Sequence, residues 1–232
     1  MTLLNQTLKL VAAGGAAILL MAGQSGAQAQ NWDGDHQVRA GFYLQSGRMG
    51  YDVNDGINQQ ALKHNSFGFG GSGGLEWIRS GMLSLGTEVD FSATTGHATL
   101  AAPMFAIKVG SQYFASLRGR LGVHVRPNFV IYGTAGIGAL GTEFDGISAG
   151  FNKVAHTNTG GVYGGGFEFH RGGTILFAEY LHGNFGRRTA LVGGTSYTYD
   201  ADMNAIRLGV KFKLGHDWRD DVRGDHGRDP LK

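Results

Sequence analysis

The sequence predicts an all-β fold: an eight-stranded antiparallel up-and-down transmembrane β-barrel with short periplasmic turns and four longer outer loops. Three observations predict it. Period-two alternation of apolar and polar residues recurs about eight times along the chain. Tight turns alternate with long polar connections, the layout of such barrels. An export signal precedes a chain with no cysteine and no later apolar run of about 18 residues. That leaves a soluble periplasmic β-protein or a barrel, and the loop rhythm favours the barrel.

The elements follow in chain order. Residues 1–29 read as a cleaved signal peptide: Lys9 gives a basic start, Leu10 to Ala22 is apolar but too short to span a bilayer, and Ala27-Gln28-Ala29 has the small-x-small pattern of a cleavage site. The first strand, near 38–46, puts Val38, Ala40, Phe42 and Leu44 on one face and Arg39, Gly41, Tyr43 and Gln45 on the other. A glycine-rich strand near 67–78 follows. Near 82–92, Leu83, Leu85, Val89 and Phe91 oppose Ser84, Glu88 and Asp90. Near 113–124, Leu117, Leu121 and Val123 oppose Arg118, Arg120 and His124. Two further glycine-rich strands are expected near 129–142 and 157–169. Another near 174–186 sets Leu176, Ala178 and Tyr180 against Phe177 and Glu179. The last, ending at Leu214, alternates Ile206, Leu208, Val210 and Phe212 with Arg207, Gly209, Lys211 and Lys213.

Three connections are tight: Arg79-Ser80-Gly81, Arg126-Pro127-Asn128 and Arg171-Gly172-Gly173. Four longer ones are expected near 47–66, 94–112, 143–156 and 187–200. The barrel is therefore expected over 30–215, followed at 216–232 by a charged, disordered periplasmic tail, HDWRDDVRGDHGRDPLK. A role for this tail in holding peptidoglycan or a periplasmic partner is open.

Composition narrows the function classes. The 41 glycines against 3 prolines show no Gly-X-Y register, which excludes collagen and Pro-rich disorder. A formal net charge of +2 gives no pull towards nucleic acid. Without cysteine there is no thiolate metal site.

In a membrane barrel the apolar rows face lipid and the polar rows face the lumen. By parity the lumen charges are Arg39, Glu76, Glu88, Asp90, Arg118, Arg120, Glu168, Glu179, Arg207 and Lys211, with His124 beside them. Carboxylates and cations nearly cancel. On the lipid side a single such charge would cost about 2–4 kcal/mol at the midplane. An eight-stranded bore is just wide enough for side chains to fill, and buried charges there must pair. The expected interior is thus a plug of salt bridges, with Arg118 and Arg120 bonded to Glu76, Glu88 or Asp90; a gated ion path through it is the functional alternative. Gly74, Gly122, Gly164 and Gly166 are expected to make room for the arginines. Trp77, Tyr113 and Tyr180 are candidates for the interfacial aromatic girdles.

The segments SLRGRLGV, VIYGTAGIG, GGVYGGGFEF, ILFAEYLHGNFG and AIRLGVKFKLG resemble the small outer-membrane β-barrel "porin family" of Gram-negative bacteria. These are surface antigens related to the transmembrane domain of outer membrane protein A. The resemblance covers roughly residues 30–215. It implies a cell outer-membrane location, contact with outer-membrane lipid and lipopolysaccharide, and a role in envelope integrity; it does not by itself imply pore activity. The last strand is also similar to the signal read by the barrel-assembly machinery, mapped here onto Arg207, Gly209, Phe212 and Leu214. It departs from that signal in ending on Leu214 instead of an aromatic residue.

Two other function classes stay open. Some related barrels modify lipid A; the one His-x-Ser spacing that fits a deacylase is His64-Asn65-Ser66, but parity turns both side chains to the lumen. No motif for a lipid A oxidase is found, and no catalytic residue is assigned. Haem, another ligand or a metal could be held only if scattered histidines such as His64, His97 and His156 met in space. Neither a cofactor nor a metal is expected.

Overall fold

In the computed structural model the described residues are 37–54, 59–80, 82–102, 105–146, 154–192 and 195–214. They are almost entirely strand: β1 (Gln37–Asn54), β2 (Gln59–Ser80), β3 (Leu83–Thr95), β4 (His97–Ala102), β5 (Phe105–Arg126), β6 (Phe129–Gly146), β7 (Val154–Arg171), β8 (Thr174–Val192) and β9 (Thr195–Leu214). The signal segment 1–29 and the tail 216–232 lie outside the described residues.

Every neighbouring pair is antiparallel. Consecutive strands pair through the sheet except β3 and β4, which both pair with β5, and β1 also pairs with β9. β3 and β4 are two halves of one barrel strand, separated at Gly96, where φ is +123°. Eight barrel strands therefore close on themselves, and no sheet edge is left to be satisfied within a bilayer.

Two of the three tight connections stand where the sequence put them; in the third, Arg79-Ser80-Gly81, Gly81 lies outside the described residues. Pro127 and Asn128 join β5 to β6, and Gly172, at φ +58°, with Gly173 joins β7 to β8. At the opposite end the strands run much further than alternation suggested. Most of the expected connections at 47–66, 94–112, 143–156 and 187–200 is strand.

The physical reason is a change of solvent along each strand. A strand tilted by about 40° climbs roughly 2.5 Å per residue, so 18–22 residues reach about twice the ~25 Å height of an apolar band. In the lower half of β1, Phe42 and Leu44 point outward, 73% and 56% exposed, while Arg39, Tyr43 and Gln45 are buried in the bore. In its upper half Met49, Tyr51 and Val53 are the buried row, and Arg48, Asp52 and Asn54 face out. β9 does the same: Arg207 and Lys211 fill the bore below, Tyr199, Ala201 and Met203 above. The barrel is polar inside where lipid surrounds it and apolar inside where water does.

Candidate functional site

The bore is filled in two layers. The lower one is built from one or two inward side chains of nearly every strand. Arg39 of β1 donates to Glu76 of β2 and, at 3.1 Å, to Glu168 of β7. Arg118 of β5 reaches Glu179 of β8 at 2.8 Å, and Asp90 and Glu88 of β3 at 2.9 and 3.3 Å. Arg120 reaches Glu168 at 2.5 Å and lies 3.9 Å from Glu88. Arg207 of β9 sits 3.0 Å from Asp90 and 3.6 Å from Glu179, and donates to the Gln45 side-chain oxygen at 3.1 Å. Lys211 joins Glu88 at 2.6 Å to Glu168 at 3.4 Å. All ten charged side chains that parity assigned to the lumen fall in this one connected cluster, each from a residue under a tenth exposed.

The expected partners of Arg118 and Arg120 are only partly the observed ones. Arg118 meets Glu88 and Asp90 but adds Glu179 from across the bore. Arg120 takes Glu168 as its close partner, and Glu76 belongs to Arg39. Parity gives the face of each residue but says nothing of which strand lies opposite.

Aromatic and hydroxyl groups, which sequence reading did not single out, complete the layer. The Arg120 guanidinium lies 3.7 Å from the Tyr132 ring centre, that of Arg207 4.5 Å from Tyr43, and the Lys211 ammonium 4.4 Å from Phe177. Tyr43 and Ser116 donate to Asp90, and Tyr132 donates to Glu179 at 3.3 Å. His170 bonds Glu168 at 3.1 Å, and its ring packs edge-on to His124 at 6.2 Å. These aromatics occupy the same inward rows as the charges, and that row position was the available signal.

The glycines make room for different neighbours from those expected. At Gly74, Gly164 and Gly166 the atom nearest an added Cβ is a backbone carbonyl oxygen of the paired strand, that of Thr87, Tyr180 and Ala178, and at Gly122 it is the Ser84 hydroxyl at 2.6 Å. None of the three nearest atoms at any of these positions belongs to an arginine. A cavity of about 10 Å³ remains against Arg39, Glu88, Arg120 and Lys211, at the limit for one water molecule.

Above the charges lies an apolar layer: Met49, Tyr51, Val109, Phe114, Leu140, Val162, Leu181, Phe185, Tyr199 and Met203 belong to one buried cluster. Phe114 touches both layers, its ring 6.1 Å from Phe185 and 5.0 Å from the Arg207 guanidinium.

His64 and Ser66 lie on the lumen row of β2, both buried. Neither His64 ring nitrogen nor the Ser66 hydroxyl has a hydrogen-bond partner among the described residues, so the two are not coupled as base and nucleophile. The His64 ring stacks on Tyr51 at 5.8 Å. His97 faces outward instead, and among the described residues no group of three or more His, Asp or Glu could hold a metal ion.

Outside, Leu117, Leu121, Ile131, Ile137, Ile206 and Leu208 are all at least half exposed and form the apolar belt. Trp77 and Tyr180 stand on the outer wall, 40% and 49% exposed. The Tyr113 hydroxyl meets that of Thr157 at 2.6 Å. Arg207 turns into the bore, while Phe212 and Leu214 face out at the end of β9.

A closed barrel with an apolar outer belt and a charged interior defines a transmembrane β-barrel of the Gram-negative outer membrane. The chain belongs to the outer membrane protein beta-barrel domain family, whose model matches residues 15–213. It is 27% identical over 152 residues to the 31 kDa outer-membrane immunogenic proteins of Brucella melitensis and Brucella suis. That match takes in 61% of this chain and 63% of each relative, so the chain spans somewhat under two thirds of their length. Among solved structures it is similar to Ail, the attachment invasion locus protein of Yersinia pestis, at 16% identity and TM-score 0.42, covering 76% of this chain and 98% of Ail. It is also similar to Neisserial surface protein A, at 14% identity and TM-score 0.39, covering 75% of this chain and 97% of the other.

Proposed function

We propose that this protein is a structural, surface-exposed component of the outer-membrane wall, contributing to envelope integrity with a bore closed to solutes. The observation that carries this reading is the double closure of the lumen. An ion entering from the turn end meets ten charges already paired with one another. Beyond them it meets a layer built mainly of apolar side chains, whose buried Thr142, Asn158 and Tyr199 are already hydrogen-bonded to one another, so little is left to replace its hydration. A single charged plug could open by rearranging its pairs; two layers of opposite character require two unrelated rearrangements.

The pattern Arg207, Gly209, Phe212 and Leu214 supports recognition of β9 by the barrel-assembly machinery, with Phe212 and Leu214 on the outer face where a partner can read them. Deleting the gene and restoring it tests the reading. The deletion strain is expected to become sensitive to detergent, to recover on restoration, and to keep an unchanged lipid A mass spectrum. A lipid A mass change that follows the gene would replace this reading with a lipid A-modifying one.

A further inference from the structure

Two irregularities of the barrel wall fall at one place. Gly96 interrupts the strand between β3 and β4, and the register of β5 on β6 shifts between Ser111 and Tyr113, which leaves Gln112 as a bulge. Gly110 of β5 sits between them, opposite His97 on β4 and Glu143 on β6. A Cβ there would lie 3.1 Å from the Gly96 carbonyl oxygen and 3.6 Å from the His97 Cβ, so glycine forms the floor of a dent in the outer wall. The dent measures about 230 Å³, on the order of seven or eight waters' share of liquid volume, which is room for one sugar ring.

Its lining is polar. Lys108 and His97 supply an ammonium and an imidazole, and the Gln112 amide holds the Glu143 carboxylate. The Ser111 side chain turns away from the dent, onto the bore face opposite Thr142, in a residue only 5% exposed. On these strands the outward apolar run ends at Ala93, Tyr113 and Ile137 to Ala139, so the dent stands roughly 10 Å above the belt. That is the level of the sugars of an outer-leaflet glycolipid, above its acyl chains.

We infer that this dent binds one sugar-acid residue of outer-leaflet lipopolysaccharide. Its carboxylate meets Lys108, its hydroxyls donate to Glu143, and its ring lies on the glycine floor. A dianionic phosphate fits less well, because Glu143 would oppose its second charge. The inference uses the outward direction of the long-strand end and not the closure of the bore, so a conducting bore would leave it standing.

The full chain in phospholipid nanodiscs tests it, by following the Gly96 and Gly110 amide resonances. Rough lipopolysaccharide that carries inner-core sugar acids is expected to shift both saturably, whereas lipid A alone leaves them in place. Lys108→Gln and Glu143→Gln are each expected to weaken the response about tenfold, as for loss of a charged hydrogen bond, while both variants keep the heat-dependent gel shift of a folded barrel. Equal shifts from lipid A, no shift at all, or an unweakened Lys108→Gln response would overturn the site. Glucuronate that shifted the same amides as strongly in nanodiscs free of lipopolysaccharide would overturn its assignment to the lipid.

Discussion

Arg118 is 1% exposed and faces three carboxylates, whereas Arg187 meets Asp200 at 3.4 Å with a side chain left 75% exposed. The two ion pairs should therefore behave differently. Arg118→Ala takes one cation from Asp90, Glu88 and Glu179, leaves five buried carboxylates against four cations in the bore, and is expected to cost about 3–5 kcal/mol. Arg187→Ala is expected to cost within about 1 kcal/mol. Urea titration of the folded barrel in lipid vesicles measures both, and similar losses would contradict the buried network. At this scale the faces of Arg39, Glu88, Arg118, Arg207 and Lys211 were legible, because strand parity is geometry. The partners were not. Glu168 binds Arg39, Arg120 and Lys211 across a closed bore, and closure distances are not written in any one strand.

Along single strands, the inversion of polarity explains what alternation missed. The sequence reading ended the first strand near residue 46 because outward residues there become polar, although β1 continues to Asn54. The signal was present as a change of phase: Met49, Tyr51 and Val53 keep alternating, but on the inward row. Met49, 1% exposed in this upper layer, is a direct test. Met49→Ala is expected to cost about 2–5 kcal/mol, whereas in a loose outer loop it would cost almost nothing. The strand break makes a second test. Gly96 holds φ +123° with its Cβ position 2.5 Å from the Asn65 carbonyl oxygen. Gly96→Ala is expected to destabilise by more than about 1 kcal/mol, and a neutral result would mean the interruption is not imposed by backbone shape.

For the molecule as a whole, two environments are stacked along one barrel: a membrane segment with charges inside, and an outer segment built like a water-soluble β-barrel. Leu208→Arg in the belt is expected to cost about 2–4 kcal/mol in vesicles, and a neutral result would move the bilayer off that band. The overall architecture was readable early, because tight turns, strand count and an N-terminal segment read as an export signal all constrain the same closed sheet. The second, apolar closure was not, since it joins Phe114, Leu140, Val162, Leu181 and Phe185, from segments read as strands, to Met49, Tyr51, Val109 and Tyr199, from segments read as loops. The central claim is that both layers shut the bore. The most direct measurement is the conductance of the refolded full chain in a planar lipid bilayer. A bore shut by both layers gives a flat baseline for the native chain, unchanged when Arg118→Ala loosens the charged layer alone. Discrete channel steps from the native chain would contradict it.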